Sequence, residues 1–288
     1  MIILALAVFG LILGSFVNAL VWRVFMQEKG HTNAKKDAVL PPEHDLSILK
    51  GRSMCPSCKH TLAAKDLVPL FSWLSLGGKC RYCRKSIGWQ YPLVELLTAG
   101  LFVVFYMFWP YQNVGTLGLN DIINLGFWFL VFIPGFMALI VYDIRWMLLP
   151  NRIVFPLTGL AAVLATINIV STDNMLRAIV QTLSSVAIAG GIFYLLFIIS
   201  NGRWIGGGDV KLGFLIGLLL ANPLFSFLML LLASMLGTAL VLPGLVLNKV
   251  SAKSRIPFGP FLIVAAVLVK LFGEGLINWY ESYLLGPM

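Results

Sequence analysis

Eight apolar runs divide this chain, and they constrain its fold more than any other feature. A bilayer accepts apolar helices of roughly 17–25 residues, because each backbone amide must then be satisfied inside its own segment. The runs lie at about Ile2–Val21, Leu93–Trp109, Ile122–Tyr142, Ile153–Val170, Leu176–Ile199, Val210–Ala221, Leu224–Leu247 and Phe261–Ile277. The sixth has about half the usual length, which suits a tilted helix or one that starts inside a protein-lined cavity. The first has no basic stretch ahead of it and reads as a retained span, not a cleaved signal. The expected fold is an all-α polytopic membrane protein with about eight transmembrane helices.

Charge orients the spans. Only 11% of residues are charged, against about 25% in soluble domains. The net charge of +9 is concentrated, with 12 of the 21 Lys and Arg residues between Arg23 and Lys85. Basic loops beside spans report topology, so this segment is read as cytoplasmic and nucleic acid is set aside as a partner. The remaining inner loops then hold Asp143, Arg145 and Arg152; Arg203, Asp209 and Lys211; and Lys249, Lys253 and Arg255. Eight spans with both termini outside satisfy the rule at every loop. Seven spans, without the sixth, would put Lys249, Lys253 and Arg255 outside. The domain division follows: a first span in 1–23, a cytoplasmic domain in 24–92, and a membrane domain of seven further spans in 93–288. Residues 24–50, with Gly30, Pro41-Pro42 and mixed charges, read as loosely ordered.

All four cysteines lie in 51–92, as Cys55-x-x-Cys58 and Cys80-x-x-Cys83. Each pair makes a tight turn that aims two thiolates at one point, and two such turns close a tetrahedron around zinc. Four thiolates leave no place for water, so the metal would be structural. The alternative is two disulfides, which a reducing cytoplasmic side disfavours. Gly51, Pro56, Gly77, Gly78 and Gly88 suit a small zinc-ribbon-like module of hairpins. His31, His44 and His60 read as surface residues.

Among the acidic residues, Glu28, Asp37, Glu43, Asp45 and Asp66 fall in the polar segment and read as solvated. Glu95, Asp143 and Asp209 stand beside or inside apolar runs. Asp143 follows the third run and Asp209 precedes the sixth, so the topology puts both on the cytoplasmic side. Two carboxylates held close cannot easily both ionise, and a shared proton lets one act as base and the other as acid. Each also has a simpler reading: Asp143 as a partner of Arg145 or Arg152, and Asp209 as a helix N-cap. Charged residues beside spans also suit ion or proton transfer, which leaves a transporter with a zinc-binding regulatory loop as an alternative.

These residues resemble the type IV prepilin peptidases, aspartic endopeptidases of the bacterial cytoplasmic membrane. Gly206-Gly207-Gly208-Asp209 matches their G-x-G-D motif, and Asp143, Arg145 and Leu149-Pro150-Asn151 match the pattern around their other aspartate. Gly14, Ser15, Phe16, Asn18 and Arg23 match the N-terminal pattern. The paired Cys-x-x-Cys module, Tyr91-Pro92-Leu93-Val94-Glu95-Leu96-Leu97 and Phe258-Gly259-Pro260-Phe261 match in turn. Val24-Phe25-Met26 and Gly77-Gly78-Lys79 depart from the usual pattern. The resemblance implies cleavage of the basic leader of prepilins or pseudopilins after a glycine, at the cytoplasmic face of the inner membrane. It implies Asp143 and Asp209 as the catalytic pair, supported by Gly206, Gly208 and Lys211. It further implies N-methylation of the new N-terminus with S-adenosylmethionine, with Glu95 and the zinc module as supports. Lys211 reads equally well as a positive flank of its span.

Overall fold

The computed structural model describes residues 1–32, 46–47, 51–109, 118–247 and 256–285. They are helical almost throughout. The helices are α1 (Ile2–Thr32), α2 (Phe71–Ser75), α3 (Gln90–Phe108), α4 (Leu119–Trp146), α5 (Asn151–Val170), α6 (Met175–Ile199), α7 (Gly207–Leu220), α8 (Pro223–Val246) and α9 (Gly259–Leu285). Seven of them are long and apolar enough to cross a membrane: α1, α3, α4, α5, α6, α8 and α9. The sixth apolar run forms α7, a helix of 14 residues, about 21 Å at 1.5 Å per residue and short of a hydrocarbon core of about 30 Å. Its burial accounts for the difference. Val210, Leu212, Leu215, Ile216, Leu219 and Leu220 are all buried, so α7 is apolar all round because other helices surround it.

α1 runs on to Thr32, past its apolar stretch. Residues 24–32 are therefore helical, against the expectation of a loose segment. A helix leaving the bilayer needs no apolar residues, so hydropathy does not mark its end. Pro41-Pro42, Glu43, His44 and Asp45, like Asp37, lie outside the described residues, as do Lys249, Lys253 and Arg255.

The chain forms two compact units, one of Met1–Met107 with Phe132–Val141, the other of Phe108–Val131 with Tyr142–Met288. In the first, Gly10 and Gly14 sit one turn apart on α1. A Cβ at either would come within 2.6 Å of a Cα of α3, Ala99 and Glu95 respectively. Small residues at this spacing let membrane helices approach closely. α7 repeats the device in the second unit. A Cβ at Gly213 would lie 2.5 Å from the Ala189 carbonyl oxygen, and one at Gly217 2.7 Å from Val186 Cα, both on α6.

Interhelical polar contacts add to the packing. Ser185 Oγ on α6 donates to the Gly217 carbonyl at 2.8 Å and lies 2.7 Å from Ser226 Oγ on α8. Asn124 on α4 and Asn168 on α5 exchange amide hydrogen bonds of 2.8 and 3.1 Å. Lys270, deep in the eighth apolar run, lies 5.3 Å from the Trp109 ring centroid, with Glu274 one turn further on. The Trp109 ring face offers this lysine a cation–π contact in an otherwise apolar stretch.

Candidate active site

Two helix ends in the second unit carry the carboxylates. Asp143 sits in the last turn of α4, where the backbone leaves the helix through Met147 at φ 53°. Its side chain is buried, and its Oδ2 accepts the amide of Gly259 at 3.0 Å. Asp209 lies in the first turn of α7. The N-cap of that helix is Gly206, so Asp209 stands at the third helical position, not at the cap. From there its carboxylate accepts the Gly206 amide, capping the helix from within. The two helix ends share a neighbour: the Gly259 amide holds Asp143 Oδ2, and Leu212, one turn after Asp209, lies 3.7 Å from the Gly259 Cβ position.

The segments around the aspartates interlock. A Cβ on Gly208 would come within 3.1 Å of Leu149 Cβ, so glycine here makes room for the turn after Asp143. No positive φ is involved at Gly206–Gly208. Lys211 Nζ donates to Asn151 Oδ1 at 2.8 Å and lies 5.4 Å from the Phe155 ring centroid. Lys211 therefore ties α7 to the start of α5, a role its sequence position did not show. Pro150, the N-cap of α5, has extended φ/ψ and lends its carbonyl to the amides of Ile153 and Val154.

In the first unit, the cysteine pairs form two matching knuckles. The Cys55 amide donates to the His60 carbonyl and the Lys59 amide to the Cys55 carbonyl; Cys80, Lys85 and Arg84 repeat the pattern. Lys59 and Arg84 take positive φ at the same place in each turn. Each knuckle is closed by one antiparallel bridge, Met54 with Thr61 and Lys79 with Ser86. The four Sγ atoms lie within 4.8 Å of one another, with Cys55 and Cys83 at 3.9 Å. A tetrahedral zinc with bonds of about 2.3 Å sets sulfurs about 3.8 Å apart, so the donor set fits such an ion after slight contraction. Burial pushes the Cys55 thiol up to about 12. At Cys80 burial acts the same way, but the Cys83 and Tyr82 amides and the Cys55 and Cys83 thiols outweigh it and bring the group down to about 7.

Asp66 departs from the expected solvated role. Its carboxylate accepts from Arg81 Nε at 2.6 Å, the Tyr82 hydroxyl at 3.0 Å and the Ala63 amide at 3.2 Å. Burial acts against these donors, yet Arg81, Tyr82 and Ala63 together hold the carboxyl below its usual range. His60 is exposed, and its ring lies 3.7 Å from that of Tyr82.

Glu95 is buried on α3. It accepts the Leu70 amide at 2.7 Å and a hydrogen bond from the Ser15 hydroxyl. Leu70 has φ 60° and ψ −52°, the middle of a tight turn in which the Phe71 amide reaches the Pro69 carbonyl at 2.6 Å. A leucine in that conformation is strained, and such strain collects at functional positions. Asn18 donates to the Tyr91 and Gly14 carbonyls, fixing α1 to the start of α3.

A helical membrane protein with buried carboxylates at adjoining helix ends carries groups of the kind an aspartic peptidase uses. The comparisons agree with that class. Residues 8–109 match the bacterial peptidase A24 N-terminal domain and residues 130–242 match the type IV leader peptidase family. A prepilin leader peptidase/N-methyltransferase of Bacillus subtilis is 32% identical, over 98% of both chains. Proteins of the same name from Stutzerimonas stutzeri and Pseudomonas aeruginosa are 30% and 29% identical, each over 98% of this chain and 94% of theirs. No solved structure matches. This chain belongs to the type IV leader peptidase family. The transporter alternative finds no support in these matches.

Proposed function

We propose that this protein removes the basic leader of type IV prepilins or type II secretion pseudopilins, after a glycine, and then N-methylates the new N-terminal residue. The observation that supports the peptidase reading is the placing of Asp143 and Asp209 at adjoining helix ends, where Gly208 packs against Leu149 in the turn after Asp143 and Gly259 lies between the Asp143 carboxylate and Leu212. In this reading one carboxylate is ionised and the other neutral. The ionised one takes a proton from a water that attacks the scissile carbonyl. The neutral one donates to the developing oxyanion or leaving amine. Gly206 and Gly208 shape the turn that presents Asp209, and Lys211 anchors it through Asn151.

S-adenosylmethionine supplies the methyl group when bound. Glu95, buried and held by Leu70 and Ser15, is the candidate support for methyl transfer. Zinc at Cys55, Cys58, Cys80 and Cys83 is structural, since four thiolates complete its coordination. The orientation proposed is the bacterial inner membrane, with 24–92 as a cytoplasmic domain and 93–288 as the membrane peptidase domain. Both termini lie outside, with α7, the sixth run, counted among eight crossings.

The test uses the purified protein in nanodiscs with a prepilin. Mass spectrometry should show loss of the leader, and a methyl increment when S-adenosylmethionine is added. A prepilin left whole overturns the peptidase reading; a cleaved product that never gains the methyl overturns only the second activity.

A further inference from the structure

The Phe258-Gly259-Pro260-Phe261 segment lies 116 residues from Asp143 in sequence, yet its glycine touches that carboxylate. Gly259 opens α9, and the first turn of that helix has few amides to offer. Pro260 has none. The Phe261 and Leu262 amides both reach the Phe258 carbonyl. The Gly259 amide goes to Asp143 Oδ2, at 3.0 Å in a buried setting. Asp143 thus sits at the positive end of a long helix, where a carboxylate is favoured.

The glycine is needed for a second reason. A Cβ at 259 would lie 2.6 Å from Asp143 Oδ2, inside any real contact, and 3.7 Å from Leu212 Cδ2 on α7. Leu212 is fully buried and follows Asp209 by about one turn. The start of α9 is therefore wedged between the helix that carries Asp143 and the helix that carries Asp209.

We propose that Gly259 is a positioning residue of the aspartate pair: its amide fixes the Asp143 carboxylate, and its lack of a side chain lets that carboxylate lie against the backbone. The proposal rests on the peptidase reading above. It assigns the Phe258-Gly259-Pro260-Phe261 motif to the chemistry, through Asp143, and not to packing alone.

The full-length protein in nanodiscs tests it, with prepilin as substrate and Gly259→Ala as the variant. Leader cleavage should lose about tenfold or more in kcat while KM stays within about threefold, the pattern of a group that acts at the transition state. Gly237→Ala is the control, because its Cβ would make ordinary contacts at 3.6–3.9 Å with Phe261 and Phe258 without reaching Asp143. It should cleave within about twofold of the parent. Unchanged kcat in Gly259→Ala overturns the proposal.

A second measurement serves even where the variant is poorly folded or activity is absent. Gly259→Ala should lower Tm in the parent and much less in an Asp143→Ala background, where the crowding partner is gone. An equal loss in both backgrounds overturns the proposal. Failure of the parent to cleave prepilin bears on the peptidase reading and leaves this cycle intact.

Discussion

The amide of Leu70 ends on the carboxylate of Glu95, 2.7 Å away, so one hydrogen bond fastens the cysteine module to α3. The Ser15 hydroxyl meets the same carboxylate from α1. Glu95→Gln keeps the shape but loses the charge that both donors address. If Glu95 supports methyl transfer, this variant lowers methylation by about tenfold, while leader cleavage, proposed for Asp143 and Asp209 in the other unit, stays within about threefold. Product masses read both from one sample. Glu95→Ala goes further and leaves both donors unmatched, which costs about 1–3 kcal/mol.

Asp143→Asn and Asp209→Asn address the peptidase directly. Either change removes one member of the proposed acid–base pair, and leader cleavage should then fall by about 10²-fold or more. Both variants should accumulate in membranes, since an amide retains an oxygen for the Gly259 or Gly206 amide. Gel-shift of a prepilin against immunoblotted enzyme checks this. Full cleavage by both variants would remove the aspartates from the mechanism.

Much of this molecule was legible because the bilayer leaves few choices. Apolar runs become helices there, and seven of the eight runs form helices long enough to cross. The sixth was marked by its length, but only packing shows why it is short: α7 is lined by other helices instead of lipid. The cysteine spacing pointed to a clustered site, and the four Sγ atoms do converge. What stayed hidden are contacts that cross the sequence. Nothing local to Gly259 announces Asp143, 116 residues away, and nothing local to Lys211 announces Asn151, 60 residues away. Asp66 looked solvated because its partners Arg81 and Tyr82 lie 15 and 16 residues on, in the second knuckle. The end of α1 was missed because hydropathy stops where the bilayer does, and helical backbone need not.

Close packing of α7 against α6 offers a test of the scaffold. A Cβ at Gly217 would meet Val186 Cα at 2.7 Å, and backbone cannot turn aside as a side chain can. Gly217→Ala should therefore destabilise by about 1–3 kcal/mol. Because α7 carries Asp209, cleavage should drop with it. Gly159→Ala on α5 is the counterpart. No heavy atom lies within 4 Å of its Cβ position, so it should be neutral or gain up to about 1 kcal/mol from helix propensity. Thermal melts in detergent rank the two; equal effects would mean the α6–α7 contact is not tight.

If the four cysteines hold a metal, as proposed, its removal should act on the cysteine module first. Cys55 and Cys80 are the buried members of the cluster, each at the base of one knuckle. The double variant Cys55→Ser with Cys80→Ser should lose bound zinc, read by metal analysis of the purified protein. Local backbone hydrogen bonds close each knuckle, and a metal on the four thiolates would be what joins one knuckle to the other across their bases. Protease nicking should then appear within 51–88, while α5 to α8 stay protected. If the turn at Leu70 loosens as well, its amide leaves Glu95, and methylation falls further than cleavage does. Zinc content equal to that of the parent would exclude these thiols as the metal site. Lost zinc with no new nicking would show that the Asp66 clasp on Arg81 and Tyr82 holds the module without the ion.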